Sequence, residues 1–122
     1  MKIRPLGPLE LVIMEVVWQL NRATVRNVYE VLLQERKIAY TTVMTVMNKL
    51  EKKGYLKKVR QNRAYLYHPS KPQEQVIRSM VQEFVTRVFN GSARPLLVHL
   101  VKDRKLSEKD LREISRLMEE TT

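Results

Sequence analysis

Apolar residues recur along this chain mostly at helical spacing, with one stretch that breaks the rule. Leu9, Val12, Ile13, Val16, Val17 and Leu20 form the first stripe, which predicts a helix from about Pro8 to Leu20. Pro8 suits a first turn. Trp18 stands off the centre of the stripe and reads as a packing residue at the helix edge. Asn21-Arg22-Ala23 interrupts the pattern. Thr24 then offers an N-cap for a second helix over about Val25 to Arg36, with Val25, Val28, Val31 and Leu32 facing inward.

The third stripe belongs to a helix of two unlike faces, Thr41 to Lys53. At about 100° per residue, Val43, Val46, Met47 and Leu50 fall within one narrow arc, as a buried stripe should. Thr41, Thr45, Asn48 and Lys52 cluster opposite, with Lys49 beside them. A solvated face usually carries Glu and Lys, the strong helix formers. This one carries β-branched hydroxyl residues, an amide and lysines, groups that meet base edges, thymine methyls and phosphates. Gly54 ends the helix as a left-handed cap. Lys49, Lys52 and Lys53 also complement the dipole at that end.

After Gly54 the period changes. Tyr55–Arg60 and Ala64–His68 are rich in aromatic, aliphatic and basic residues around a polar turn, Gln61-Asn62-Arg63. They predict a β-hairpin whose basic residues are Lys57, Lys58, Arg60 and Arg63. Two short helices, a third with a polar face and a basic hairpin are the parts of a winged helix-turn-helix. Pro69-Ser70-Lys71-Pro72 then marks a boundary. Beyond it, Val76, Ile77, Met80, Val81, Phe84, Val85, Val88 and Phe89 make a wide apolar band on a helix from about Gln73 to Phe89. Asn90-Gly91-Ser92 stops it. Leu96, Leu97, Leu100 and Val101 mark a shorter helix. Ser107-Glu108-Lys109-Asp110 opens a last one with a capping-box pattern, ahead of Leu111, Ile114, Leu117 and Met118.

The expected fold class is therefore mainly α with a small hairpin wing. Residues 1–70 form a winged helix-turn-helix and residues 71–122 a three-helix C-terminal region. About 50 residues leave little room for a private core. Two copies completing one another would resolve the surplus of apolar surface, with Val76, Ile77, Met80, Val81, Phe84, Val88, Leu97, Leu100, Leu111, Ile114, Leu117 and Met118 as the dimer interface.

Charge narrows the partner. The formal net charge is +10 over 122 residues, and the sequence pI is about 10.1. Residues 1–70 hold thirteen Lys/Arg against five Asp/Glu, and the remainder ten against eight. The basic character thus lies with the hairpin and the third helix and points to a polyanion, foremost nucleic acid. The expected contacts are Tyr40, Thr41, Thr42, Met44, Thr45, Asn48, Lys49 and Lys52 from the helix and Lys57, Lys58, Arg60 and Arg63 from the wing.

Catalysis and metal binding find no support. The absence of cysteine removes disulfides, thiolate metal sites and cysteine nucleophiles. His68 and His99 have no ligand cluster near them, no serine has a motif pairing it with a base, and three glycines make no phosphate loop. We expect no enzyme activity, no metal and no cofactor. The start, Met1-Lys2-Ile3-Arg4-Pro5, leads into no apolar signal segment, and no apolar run approaches membrane-spanning length. A cytoplasmic protein without direct membrane insertion is expected. Two other classes share parts of the pattern. One is a winged helix used only for protein contacts, against which the basic N-terminal part and wing argue. The other is a basic RNA-binding protein, for which Tyr40, Tyr55, Tyr65 and Tyr67 would supply stacking. Their placement reads instead as packing of the wing onto the third helix.

The run from Ala39 to Gly54 with Arg63-Ala64-Tyr65-Leu66-Tyr67 resembles the penicillinase-repressor family of bacteria, the BlaI/MecI type. Leu6-Gly7-Pro8-Leu9-Glu10, Met14-Glu15-Val16-Val17-Trp18, Ala23–Val28 and the tail from Leu106 to Met118 fit the same family, so the resemblance covers nearly the whole chain. It implies a homodimeric transcriptional repressor that binds palindromic double-stranded operators, typically with TACA/TGTA half-sites, and reads them with the third helix. In the β-lactam members a membrane sensor with a metalloprotease domain triggers cleavage of the repressor at an Asn-Phe bond in the dimerisation region. The matching position here is His99-Leu100. A copper-responsive branch uses Cys-x-Cys motifs, which this chain lacks.

Overall fold

The first three helices exist because each has one stripe to hide, and they hide it against one another. In the computed structural model, which describes residues 4–120 and side chains as far as Leu117, α1 spans Pro8–Leu20, α2 Val25–Leu33 and α3 Tyr40–Lys52. Ile13, Val16 and Val17 of α1, Val28 and Leu32 of α2 and Val43, Met47 and Leu50 of α3 are buried together. Met14 is fully buried as well, although the sequence stripe leaves it out; Leu20, placed in the stripe, is exposed.

The helix ends follow local chemistry. Thr24 Oγ1 accepts from the Asn27 N–H at 3.1 Å, and Asn27 Oδ1 accepts from the Thr24 N–H at 3.0 Å, a capping box with Asn in the third position. The second helix stops at Leu33, three residues before the expected Arg36. Its last turn tightens: the Gln34 N–H reaches back to Val31 and the Glu35 and Arg36 N–H groups both to Leu32, so the α-ladder ends. The third helix runs one residue earlier than expected at both ends. Gly54 has φ 87°. Its N–H bonds the Glu51 carbonyl and that of Tyr55 the Leu50 carbonyl, both at 3.0 Å, the Schellman pattern that a left-handed residue permits.

Strands β1 (Leu56–Gln61) and β2 (Ala64–Pro69) pair antiparallel in register Leu56 with Pro69 through Gln61 with Ala64. The turn is the two residues Asn62 and Arg63, with Asn62 at φ 58°. Pro69, expected to break the strand, is its last residue. A β-bridge joins the hairpin to the connection between α1 and α2: Tyr67 and Ala23 exchange both backbone hydrogen bonds, at 2.8 and 3.0 Å. Two-strand hairpins are marginal alone. This bridge and the burial of Tyr55, Leu56 and Tyr67 hold the wing against the helices.

The chain divides into two compact units, the first ending at Ser79 and the second beginning at Met80, so the division falls inside α4 (Gln73–Phe89). The start of α4 belongs to the first unit. Val76 is 1 % exposed, and Trp18 Nε1 donates to the Lys71 carbonyl at 3.0 Å, as an edge packing residue with a polar handle should. The second unit holds the rest of α4, α5 (Arg94–Lys102) and α6 (Glu108–Glu120). Asn90 and Gly91, at φ 51° and 88°, end α4. Ser107 and Asp110 cap α6 reciprocally at 3.1 and 3.0 Å, as the sequence pattern predicts. Among the described residues of this unit only Val85 is buried. Val81, Phe84, Val88, Val98, Val101 and Leu117 remain 39–51 % exposed. Leu97, Leu100, Leu111 and Ile114 are half-buried, as are Ile77 and Met80 near the division, whereas the side chain of Met118 lies outside the described residues. No described helix is long and apolar enough to cross a membrane.

Candidate nucleic-acid interface

Burying Val43, Met47 and Leu50 turns the opposite side of α3 outward. Thr41, Thr42, Met44, Thr45, Lys49 and Lys52 are exposed there, and Asn48 is half-buried. On the hairpin Lys57, Lys58, Arg60 and Arg63 are all exposed. Helix and hairpin enclose a groove of about 590 Å³ lined by Tyr40, Met44 and Asn48 from α3 and by Lys58, Arg63 and Tyr65 from the wing. Five of the expected contact residues thus meet in one concavity. Thr41, Thr42, Thr45, Lys49, Lys52, Lys57 and Arg60 do not line it.

Two of the wing's cations, Lys58 and Arg60, are held in place by neighbours. Lys58 Nζ stands 3.8 Å from Glu51 Oε1 and 4.7 Å from the centre of the Tyr65 ring. The Arg60 guanidinium carbon stands 5.6 Å from the same ring. Cations over an aromatic face gain from its quadrupole, so Tyr65 organises both.

Tyr40, Tyr55, Tyr65 and Tyr67 divide into two pairs, which corrects the expectation that all of them pack the wing. Tyr55 and Tyr67 are buried and do so. Tyr65 is 41 % exposed: it shares the face of Tyr67 but sits two residues nearer the turn, over the groove. Tyr40, 40 % exposed, packs edge-on to Tyr29 with ring centres 5.4 Å apart. Tyr65 and Arg26 are among the groove residues that the expected contacts left out. The hairpin alternation could have found the first. Arg26, at the start of α2, pairs with Glu30 one turn on, at 3.2 Å.

One ion pair braces the end of α3. Lys53 Nζ donates to Glu10 Oε1 at 2.8 Å and to the Pro5 carbonyl at 3.0 Å, and the Gly7 N–H donates to the same carboxylate oxygen at 2.8 Å. The Tyr55 hydroxyl adds a bond to the Arg4 carbonyl. Burial pushes the Glu10 carboxyl up, but the hydrogen bonds from Lys53 and Gly7 and the charges of Lys53 and Lys49 outweigh it and hold the group below its ordinary value. Among the described residues no three His, Cys, Asp or Glu side chains gather as a metal site.

Three helices, a bridge from the α1–α2 connection to a basic hairpin, and a polar outer face on α3 define a winged helix-turn-helix of the nucleic-acid-binding class. The family model of the penicillinase repressors matches residues 6–120, and the chain belongs to that family, whose members are repressors and not enzymes. A relative named transcriptional regulator BlaI, from Mycobacterium tuberculosis, is 36 % identical over 111 residues, covering 89 % of this chain and 80 % of its own. The penicillinase repressor of Bacillus licheniformis is 24 % identical over 119 residues, covering 98 % and 93 %. Among solved structures, the DNA-binding domain of the repressor BlaI matches with TM-score 0.54 at 26 % identity, over 59 % of this chain and 88 % of that one. The monomeric form of B. licheniformis BlaI in complex with the blaP half-operator matches with TM-score 0.52 at 26 % identity, over 60 % and 89 %.

Proposed function

We propose that this chain is a transcriptional repressor that binds a palindromic DNA operator as a homodimer, α3 in the major groove and the hairpin along the phosphate backbone. The carrying observation is the juxtaposition in the first unit of an outward Thr/Asn/Lys helix face and a basic wing around one groove. Helix width suits the major groove, and lysines and arginines on the flanking hairpin suit phosphate. Family membership agrees, and the complex of one BlaI monomer with half an operator supports one half-site per chain.

Dimerisation is assigned to the second unit. Its helices leave Val81, Phe84, Val88, Val98 and Val101 exposed within a single chain, and a second copy supplies matching apolar surface. Release of the operator is assigned to proteolysis in this unit under a membrane sensor-protease, at His99-Leu100. That bond lies inside α5, where His99 is exposed and its ring stands 6.2 Å from Phe89, so cleavage requires local unwinding of the helix. Mass spectrometry of the chain from induced cells checks this: fragments ending at His99 are expected, and an intact chain during derepression would remove the protease.

The DNA assignment separates into two measurable parts. Thr45→Ala should reduce discrimination between matched and mismatched operators, by about 1–3 kcal/mol if a base contact is lost. Arg63→Ala should weaken every duplex alike and lower the salt slope by about one per phosphate contact removed. Titrations of both variants against a panel of duplexes, with an RNA duplex of equal length beside them, read both effects. Unchanged relative affinities for Thr45→Ala would move the reading face elsewhere, and preference for RNA would replace the operator altogether.

A further inference from the structure

One group on the outer face of α3 has its orientation fixed from beneath. Asn48 shares that face with Met44, Thr45 and Lys52, one turn away on either side. Its Oδ1 accepts a hydrogen bond from Tyr67 Oη at 2.9 Å. Tyr67 is 2 % exposed, and its backbone is locked at both N–H and C=O by Ala23. The hydroxyl therefore cannot wander. A buried phenol has to place its proton on an acceptor, and the amide oxygen is the acceptor it reaches. Burial, then the nearby Glu51 charge, pushes the Tyr67 phenol above its ordinary range, so the proton stays on.

The amide is thereby oriented. A free asparagine presents an acceptor and two donors, and it pairs with adenine by using both at N6 and N7. Here one of the oxygen's two lone pairs is taken by the wing strand, which fixes the amide, and the NH₂ is left for the groove that both residues line. We infer that Asn48 reads the major-groove edge through its NH₂ donor, directed at a base acceptor such as guanine N7 or O6 or thymine O4, and that Tyr67 is the positioning residue that imposes this. The inference rests on the DNA-binding reading above. It also couples the wing to specificity, because the group that sets the amide belongs to β2 and not to the helix.

The test uses the full-length chain and a half-site panel in which each base pair is replaced in turn. Asn48→Ala is expected to lose roughly 5- to 100-fold discrimination at one base pair. Asn48→Asp keeps the acceptor for Tyr67 and removes the donor, and it should lose selectivity at that same pair. Tyr67→Phe keeps the buried ring and frees the amide to turn. It should relax the same pair at least threefold while leaving the salt slope and affinity for unrelated duplex within about twofold. In the Asn48→Ala background Tyr67→Phe should then change nothing further.

Several results would overturn the inference while the repressor reading stands. One is a Tyr67→Phe profile that superimposes on wild type, another is uniform weakening at all pairs, which marks a purely structural tyrosine. A third is an affinity loss when the adenine N6 amino group is deleted at the Asn48 position, which marks a bidentate adenine contact. A wild-type chain with no base-pair preference would instead overturn the repressor reading, and this inference with it.

Discussion

A fragment ending at Ser79 is expected to bind a two-half-site operator ~10²–10⁴ times more weakly than the full chain while binding an isolated half-site equally well. Every residue assigned to DNA lies before Ser79, so no contact is lost. What is lost is linkage: in a dimer, the second winged domain meets its half-site at an effective concentration set by the first. The end point matters. Cutting at residue 70 would remove Val76 from the first unit's core and Lys71, whose carbonyl accepts from Trp18. The fragment to 79 keeps both. Phe84→Asp in the full chain should give the same loss without truncation, because a carboxylate in a dimer interface is a desolvated charge with no partner. Sedimentation should find that variant monomeric where wild type is dimeric. A wild-type chain monomeric at micromolar concentration, or a fragment that holds the full operator as tightly as the intact chain, would end the dimer argument.

How far the sequence carried this picture depends on the range of each interaction. Helix stripes, the Thr24 and Ser107 caps and the glycine at 54 are local signals, and they place the first four helices to within a few residues. The overrun of α2 has a local reason too: Gln34, Glu35 and Arg36 carry no breaker, and only the tightened bonds onto Val31 and Leu32 end it. The outward face of α3 was legible because a buried stripe fixes which residues point away from it. Long-range pairing was not. Asn48 and Tyr67 are 19 positions apart, and nothing in their spacing announces a hydrogen bond that fixes one by the other. Lys53 sits with Lys49 and Lys52 in what reads as a row of dipole-complementing cations. Its true partner, Glu10, is 43 positions away on α1, where the carboxylate interrupts a run of apolar residues. Only the packing of the two helices brings them together.

That pair carries the other large effect. Lys53→Met should destabilise the first unit by about 3–5 kcal/mol at neutral pH, the usual cost of leaving a buried charge without its partner. Glu10 is 7 % exposed, and its Oε2 is buried with no hydrogen-bond partner among the described residues, so the carboxylate already depends on what reaches Oε1. With Lys53 gone, the Gly7 N–H is the one donor left there among the described residues. The pH dependence gives an independent check. In wild type the folded carboxyl titrates below its unfolded value. Its contribution is therefore present in full above the unfolded carboxylate range and is lost as the pH falls through the depressed folded value. In Lys53→Met the hydrogen bond and the charge of Lys53 no longer oppose burial, so the carboxyl should titrate higher than in wild type and acid should relieve the penalty. The gap between the two proteins should be widest near neutrality and should close on acidification. Glu10→Leu combined with Lys53→Met should recover most of the loss, since an apolar pair of similar volume is often as stable as a buried ion pair. Urea unfolding of wild type, Glu10→Leu, Lys53→Met and the double variant across pH measures all of this in one cycle. A Lys53→Met penalty below about 1 kcal/mol, or a gap that does not change with pH, would show that Glu10 and Lys53 are a solvated surface pair and not the brace between the start of α1 and the end of α3.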